Sequence, residues 1–211
     1  MQASETAPST SPRWAQILSD IFSPLLIPTY GMALAMWITP LRTVPEGARL
    51  LATLIVAVIT GLVPLLVIAL LKHFKMVDDN AISRRSQRPV PMLVAVVCYA
   101  AAGFIVGMLG APLWLRMFFG GAALATLLAM FITLRWKISA HTTALGGLTG
   151  MMLRMAVMGI ADVNVMILLT VGLLLTGLIA TTRLLLGRHT LAQTVCGALL
   201  GGTCCYIAMC L

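Results

Sequence analysis

Long apolar runs separated by short polar junctions make up most of this chain, and the runs have the length that crosses a bilayer. A helix needs about 20 apolar residues to span the hydrocarbon core. The pattern predicts helices over Ile21–Thr39, Leu50–Leu71, Pro91–Leu109, Pro112–Leu134, Thr142–Ile160, Val163–Leu186 and Thr190–Leu211. Pro24 and Pro28 sit near the start of the first, so it reads as a kinked or interfacial segment as readily as a span. The expected fold is all-α, a polytopic transmembrane helix bundle of six to seven spans in one domain over residues 13–211. Residues 1–12, rich in Ser, Thr and Pro, read as a disordered lead without the pattern of a signal peptide.

The order of the junctions carries the next inference. An arginine-rich stretch, Arg84, Arg85 and Arg88 before Pro89, follows the second run, His141 follows the fourth and His189 the sixth. Even-numbered junctions share one side of a membrane, so the three clusters are expected on one face. Pairs of glycines four apart, Gly146 with Gly150 and Gly197 with Gly201, mark close helix packing that brings the two histidine-bearing helices together.

Composition agrees with a membrane protein. Of the 211 residues, 60% are hydrophobic and 9% charged, too few charges to cover a water-soluble core. The net charge of +8 falls at helix ends, which favours anchoring to anionic head groups over nucleic-acid binding. Cys98, Cys196, Cys204, Cys205 and Cys210 all lie in apolar runs without metal-ligand spacing and read as small buried residues.

The junction residues suggest chemistry on a phosphate. His189 and Gln193 are four apart and share a helix face, so the Gln193 carbonyl can hold one ring nitrogen and leave the other to attack. Arg183 offers forked donors that match phosphate oxygens. His141 and Ser139 stand at a helix start, where free N–H groups and the helix dipole favour an anion. His141 is then placed to protonate a leaving oxygen and later to activate water. Arg84 or Arg85 with Arg88 face one phosphate if that segment is helical up to a stop at Pro89.

These residues resemble the signature of the type 2 phosphatidic acid phosphatase superfamily: Lys-x6-Arg-Pro, then Pro-Ser-Gly-His, then Ser-Arg-x5-His-x3-Asp. Arg88-Pro89 is similar to the end of the first motif, Ser139-Ala140-His141 to the second, and Arg183, His189 and Gln193 to the third. The resemblance covers a core of about residues 72–211. It implies His189 as nucleophile, His141 as general acid, and Arg88, Arg183 and Ser139 on the phosphate, with no metal or other cofactor. Ala81 stands where the first motif has Lys, Ile138 and Ala140 where the second has Pro and Gly, Thr182 for Ser, and Gln193 for the Asp that orients the nucleophile.

Two function classes follow. One is an integral membrane lipid phosphatase acting on a phosphomonoester or pyrophosphate of a lipid, such as phosphatidate, phosphatidylglycerophosphate, a polyprenyl pyrophosphate or a lipid A type, through a phosphohistidine. Its partners are the lipid phosphate and membrane lipids, not nucleic acid, and its place is the cell (inner) membrane. The other is a non-catalytic relative that binds or moves a phospholipid or polyprenyl phosphate. The simpler readings elsewhere are a head-group contact for His73, capping or ion pairing for Asp78 and Asp79, and snorkelling of Arg154 toward Asp162. A three-histidine metal site of His73, His141 and His189 lacks supporting carboxylates or cysteines. The positive-inside rule puts the motif face in the cytoplasm, whereas many bacterial members of the resembling family work on the outer side of the inner membrane.

Overall fold

A computed structural model describes residues 12–77 and 84–211. Asp78, Asp79, Ala81 and the lead before Pro12 lie outside the described residues. Every regular element among those described is helical: α1 (Arg13–Ile21), α2 (Ile27–Ile38), α3 (Glu46–Ala57), α4 (Val63–His73), α5 (Pro89–Met108), α6 (Leu113–Thr133), α7 (Ala140–Met158), α8 (Val165–Leu185) and α9 (Leu191–Ala208), with short 3₁₀ turns between some of them.

Among the described residues, five stretches are long and apolar enough to cross a membrane: Glu46–His73, Arg85–Met108, Leu113–Thr133, Met166–Leu185 and Leu191–Ala208. The protein is a multi-pass membrane protein. Its outward surface carries many large apolar side chains, with Leu51, Leu54, Leu66, Phe104, Leu173 and Leu174 all exposed. That is the pattern of helices that meet lipid on one side and protein on the other.

The first expected span differs from the sequence reading. Residues 13–38 form two helices, nine-residue α1 and twelve-residue α2, and neither is long enough to span. Pro24 and Pro28 account for the break, since each lacks an N–H and clashes with the carbonyl four residues earlier inside a helix. Pro28 instead sits in the first turn of α2, where the missing donor costs nothing. Likewise Pro89 does not stop a helix but opens α5, after a 3₁₀ turn at Arg85–Gln87. In the second span α3 and α4 are one rod joined by a π turn, Val58–Leu62, placed just before Pro64. Pro64 cannot donate to the Thr60 carbonyl, and the wider turn absorbs that loss.

The other expected span that falls short is α7. It is 19 residues long but carries His141, Thr142, Thr143, Thr149 and Arg154. It packs against α2, α6, α8 and α9, and its middle is largely buried. A helix walled in by protein needs no lipid-facing apolar surface.

The tightest pairing in the bundle is α7 against α9. A Cβ on Gly146 would lie 2.1 Å from the Ala198 carbonyl oxygen, and one on Gly201 1.8 Å from that of Thr143. A Cβ on Gly150 would lie 2.4 Å from the Gly202 carbonyl oxygen, and one on Gly197 2.5 Å from the Thr142 hydroxyl. The two backbones therefore touch, as the glycine spacing predicts.

Arg154 is the clearest local correction. It does not reach Asp162; its Nε donates to the Met209 carbonyl at 3.3 Å and its guanidinium lies over the Tyr206 ring. Asp162 instead pairs with Arg42 at 2.9 Å. The carbonyls at the C-terminal end of α9 are unsatisfied by the helix itself, which makes them good acceptors for a cation.

Candidate functional site

The site begins with a turn. α8 ends at Leu185, and Gly187 follows with φ +61°, a left-handed conformation that glycine adopts without a Cβ penalty. The reversal lets the N–H groups of Arg188 and His189 both donate to the Arg183 carbonyl, at 3.0 and 3.4 Å. Arg183 and His189 are thus fixed beside each other before any side-chain contact is considered.

α9 then starts with a reciprocal cap. The Thr190 hydroxyl accepts from the Gln193 N–H, and Gln193 Oε1 accepts from the Thr190 N–H at 3.1 Å. That second bond settles which end of the Gln193 amide is oxygen. The same oxygen lies 3.1 Å from His189 Nδ1, and the Lys137 carbonyl lies 3.3 Å from it. Both partners only accept, so Nδ1 carries the proton and the Nε2 lone pair is free of it. His189 is only 8% exposed. Burial, then the positive charges of Arg88 and Arg183, lower its pKa to about 4, against a smaller upward pull from Gln193. Near neutral pH the ring is uncharged.

His141 arises on the first turn of α7, which Ser139 caps by accepting from the Thr142 N–H. The Ser139 N–H donates to the Gln193 carbonyl at 3.3 Å, tying the start of α7 to the start of α9. The His141 ring reaches α1, where its Nε2 lies 3.2 Å from both the hydroxyl and the carbonyl oxygen of Ser19. Arg183 Nη1 donates to the same Ser19 hydroxyl at 2.6 Å. The Arg183 Nε is buried with no hydrogen-bond partner among the described residues. Arg88, 8% exposed, donates to the Ile138 carbonyl at 3.4 Å.

A cavity of about 600 Å³ joins these groups. At its polar end stand Arg88, His141, Arg183, Arg188 and His189 with Gln16, Ser19 and Asp20 of α1. Beyond them the walls are apolar or nearly so, formed by Leu65 and Ile68 of α4, Pro91, Met92, Ala95 and Tyr99 of α5, and Ala122, Ala125 and Ala129 of α6. An anion-binding head with an apolar sleeve suits an amphiphile whose charged group is a phosphate.

Of the residues singled out by sequence, Arg88, His141, Arg183 and His189 line this cavity, and Gln193 contacts His189 from behind. Arg84, Arg85 and Ser139 do not line it. Arg85 is exposed and donates to the Arg135 carbonyl, and Ser139 is fully buried as a helix cap. The sequence reading placed all three on the phosphate; Arg85 instead serves the Arg135 carbonyl, and the Ser139 hydroxyl serves the backbone. It also missed Arg188, next to His189, and all of α1. The alternation of Trp14, Ile17 and Ile21 with Gln16 and Asp20 was the available signal for an amphipathic helix. His73 is exposed at the end of α4, and among the described residues no group of three His, Cys, Asp or Glu could hold a metal ion.

Compared with known proteins, the chain matches no family model, no curated protein and no solved structure.

Proposed function

We propose that this protein is a membrane lipid phosphatase built like the type 2 phosphatidic acid phosphatase superfamily, with α7 as a sixth span shielded from lipid. One observation carries the reading. His189 with a free Nε2 lone pair, His141, Arg88 and Arg183 all line a single cavity whose polar end also carries Arg188, Gln16, Ser19 and Asp20 and whose other walls are mainly apolar. A buried guanidinium nitrogen without a partner is costly, and a phosphate oxygen is the acceptor that best removes that cost.

In the proposed reaction His189 Nε2 attacks phosphorus while Arg88 and Arg183 neutralise the phosphate oxygens. The bond from phosphorus to the lipid oxygen breaks, and His141, protonated once the charge of the bound phosphate offsets Arg88 and Arg183, gives that oxygen its proton. Neutral His141 then takes a proton from water, the water oxygen attacks phosphorus, the bond to His189 breaks and inorganic phosphate leaves. No step needs a metal. The lipid tail stays in the apolar sleeve throughout, and the inner membrane is the proposed location.

A second reading, a non-catalytic carrier or binder of a phospholipid or polyprenyl phosphate, is favoured by Gln193. A neutral amide stabilises the imidazolium of a phosphohistidine less than a carboxylate does. The deciding experiment is release of inorganic phosphate by the detergent-purified protein from phosphatidate, phosphatidylglycerophosphate, polyprenyl pyrophosphate and lipid A type substrates. Release from one class supports the enzyme. Tight binding without release from any supports the carrier.

A further inference from the structure

We infer that Ser19 is a positioning residue of this site, a part supplied by α1 from outside the three sequence motifs. Its role in turnover rests on the phosphatase reading, while its contacts stand independently of it.

Helix α1 has two distinct faces. Trp14, Ile17 and Ile21, spaced three and four apart, are 48%, 59% and 47% exposed, the apolar stripe of a helix lying in a membrane interface. Ala15 and Ser19, also four apart, are 0% and 1% exposed and face the protein. A hydroxyl buried to that degree is costly unless hydrogen-bonded. The partners Ser19 finds are two side chains of the candidate site, His141 and Arg183, 122 and 164 residues away in sequence. No other side chain links the two in this way among the hydrogen bonds of the described residues.

Each contact limits what its partner can do. The Ser19 hydroxyl takes the Arg183 Nη1 in a short, charge-assisted bond, which fixes how the guanidinium sits at the wall of the cavity. The Ser19 carbonyl can only accept, so the His141 Nε2 beside it carries a proton. The nitrogen that exchanges protons with a reactant is then Nδ1. One residue therefore sets both the aim of the phosphate-holding arginine and the tautomer of the general acid, as an outer contact does for a catalytic histidine in other sites.

The test uses the full chain in detergent with ¹⁵N-labelled histidine, in which only His73, His141 and His189 report. Ser19→Ala removes the hydroxyl beside Nε2 but keeps the carbonyl, so it is expected to shift the His141 ring nitrogens without exchanging the tautomer, while the exposed His73 stays in place. Affinity for orthovanadate, a phosphate analogue, is expected to fall by about tenfold, the effect of losing one hydrogen bond to a charged group. Ile17→Ala, on the outward face, should change neither signal. Unchanged His141 signals in Ser19→Ala overturn the inference, as does equal or tighter vanadate binding, which would make the hydroxyl an occupant of the phosphate's place. So does a matching change in Ile17→Ala. Should the wild type neither bind vanadate nor release phosphate, the phosphatase reading fails by itself, and the His141 signals alone decide the role of Ser19.

Discussion

The Gln193 side-chain carbonyl lies 3.1 Å from His189 Nδ1 and 3.1 Å from the Thr190 backbone N–H. A single amide oxygen thus caps α9 and fixes the tautomer of the candidate nucleophile. Helix start and site geometry are coupled through one atom, so substitutions at Gln193 report on both.

Gln193→Ala is expected to lower turnover by roughly ten- to a hundredfold, because the ring keeps the Lys137 carbonyl but loses its better-placed acceptor. The lost cap should also reduce stability by about 1 kcal/mol. Gln193→Asp keeps an acceptor and adds a negative partner for the imidazolium, so its activity should equal or exceed the wild type's. Steady-state phosphate release from the three proteins, read with their thermal stability, checks both effects.

The buried, uncharged state of His189 makes stability depend on pH. Its pKa is lowered to about 4 in the folded chain, below the usual histidine value near 6.5. The unfolded chain therefore binds more protons between those two values, and stability present above about pH 6.5 is lost as the pH falls toward 4. The loss is on the order of 3 kcal/mol. Resistance to unfolding by SDS, measured from pH 7 to pH 4.5, should fall in the wild type. It should fall less in His189→Gln, whose side chain does not titrate.

Helix contact is tested at two glycines. A Cβ at Gly201 meets the Thr143 carbonyl oxygen at 1.8 Å, a backbone atom that cannot move aside without shifting α7. Gly201→Ala should cost about 3 kcal/mol or more and loosen the pairing that brings His141 and His189 together. Gly120, inside α6 with open space where a Cβ would stand, should gain up to about 1 kcal/mol on substitution by Ala. Equal losses at both positions would contradict the packing account.

Because arginines neutralise the phosphate in the proposed reaction, activity should survive excess chelator and be blocked by vanadate. Loss in chelator with recovery on adding zinc or magnesium would point instead to a metal-assisted route.

Much of the bundle was legible in the sequence, for physical reasons that can be named. Apolar runs of bilayer length mark α5, α6, α8 and α9 because lipid leaves a helix few other choices. The spacing of four between His189 and Gln193 likewise marks their contact at the start of α9. The gaps have causes too. Hydropathy treats α7 like the outer helices because burial in protein and burial in lipid select overlapping residues. Pro89 reads as a stop or a start alike until its neighbours are placed. Ser19 carries no local signal, since its role comes from residues more than a hundred positions away. Arg154 was drawn toward Asp162 by charge, but helix-end carbonyls compete for cations and do not show in a sequence.

The central claim is that His189 carries the phosphoryl group. The most direct measurement is a rapid alkaline quench of the purified protein during turnover of a ³²P-labelled lipid phosphate, followed by mapping of the labelled peptide. The account predicts base-stable, acid-labile label on His189 in the wild type, none in His189→Ala, and no phosphate release by that variant. Phosphate release that persists in His189→Ala, or label that maps elsewhere, would contradict it.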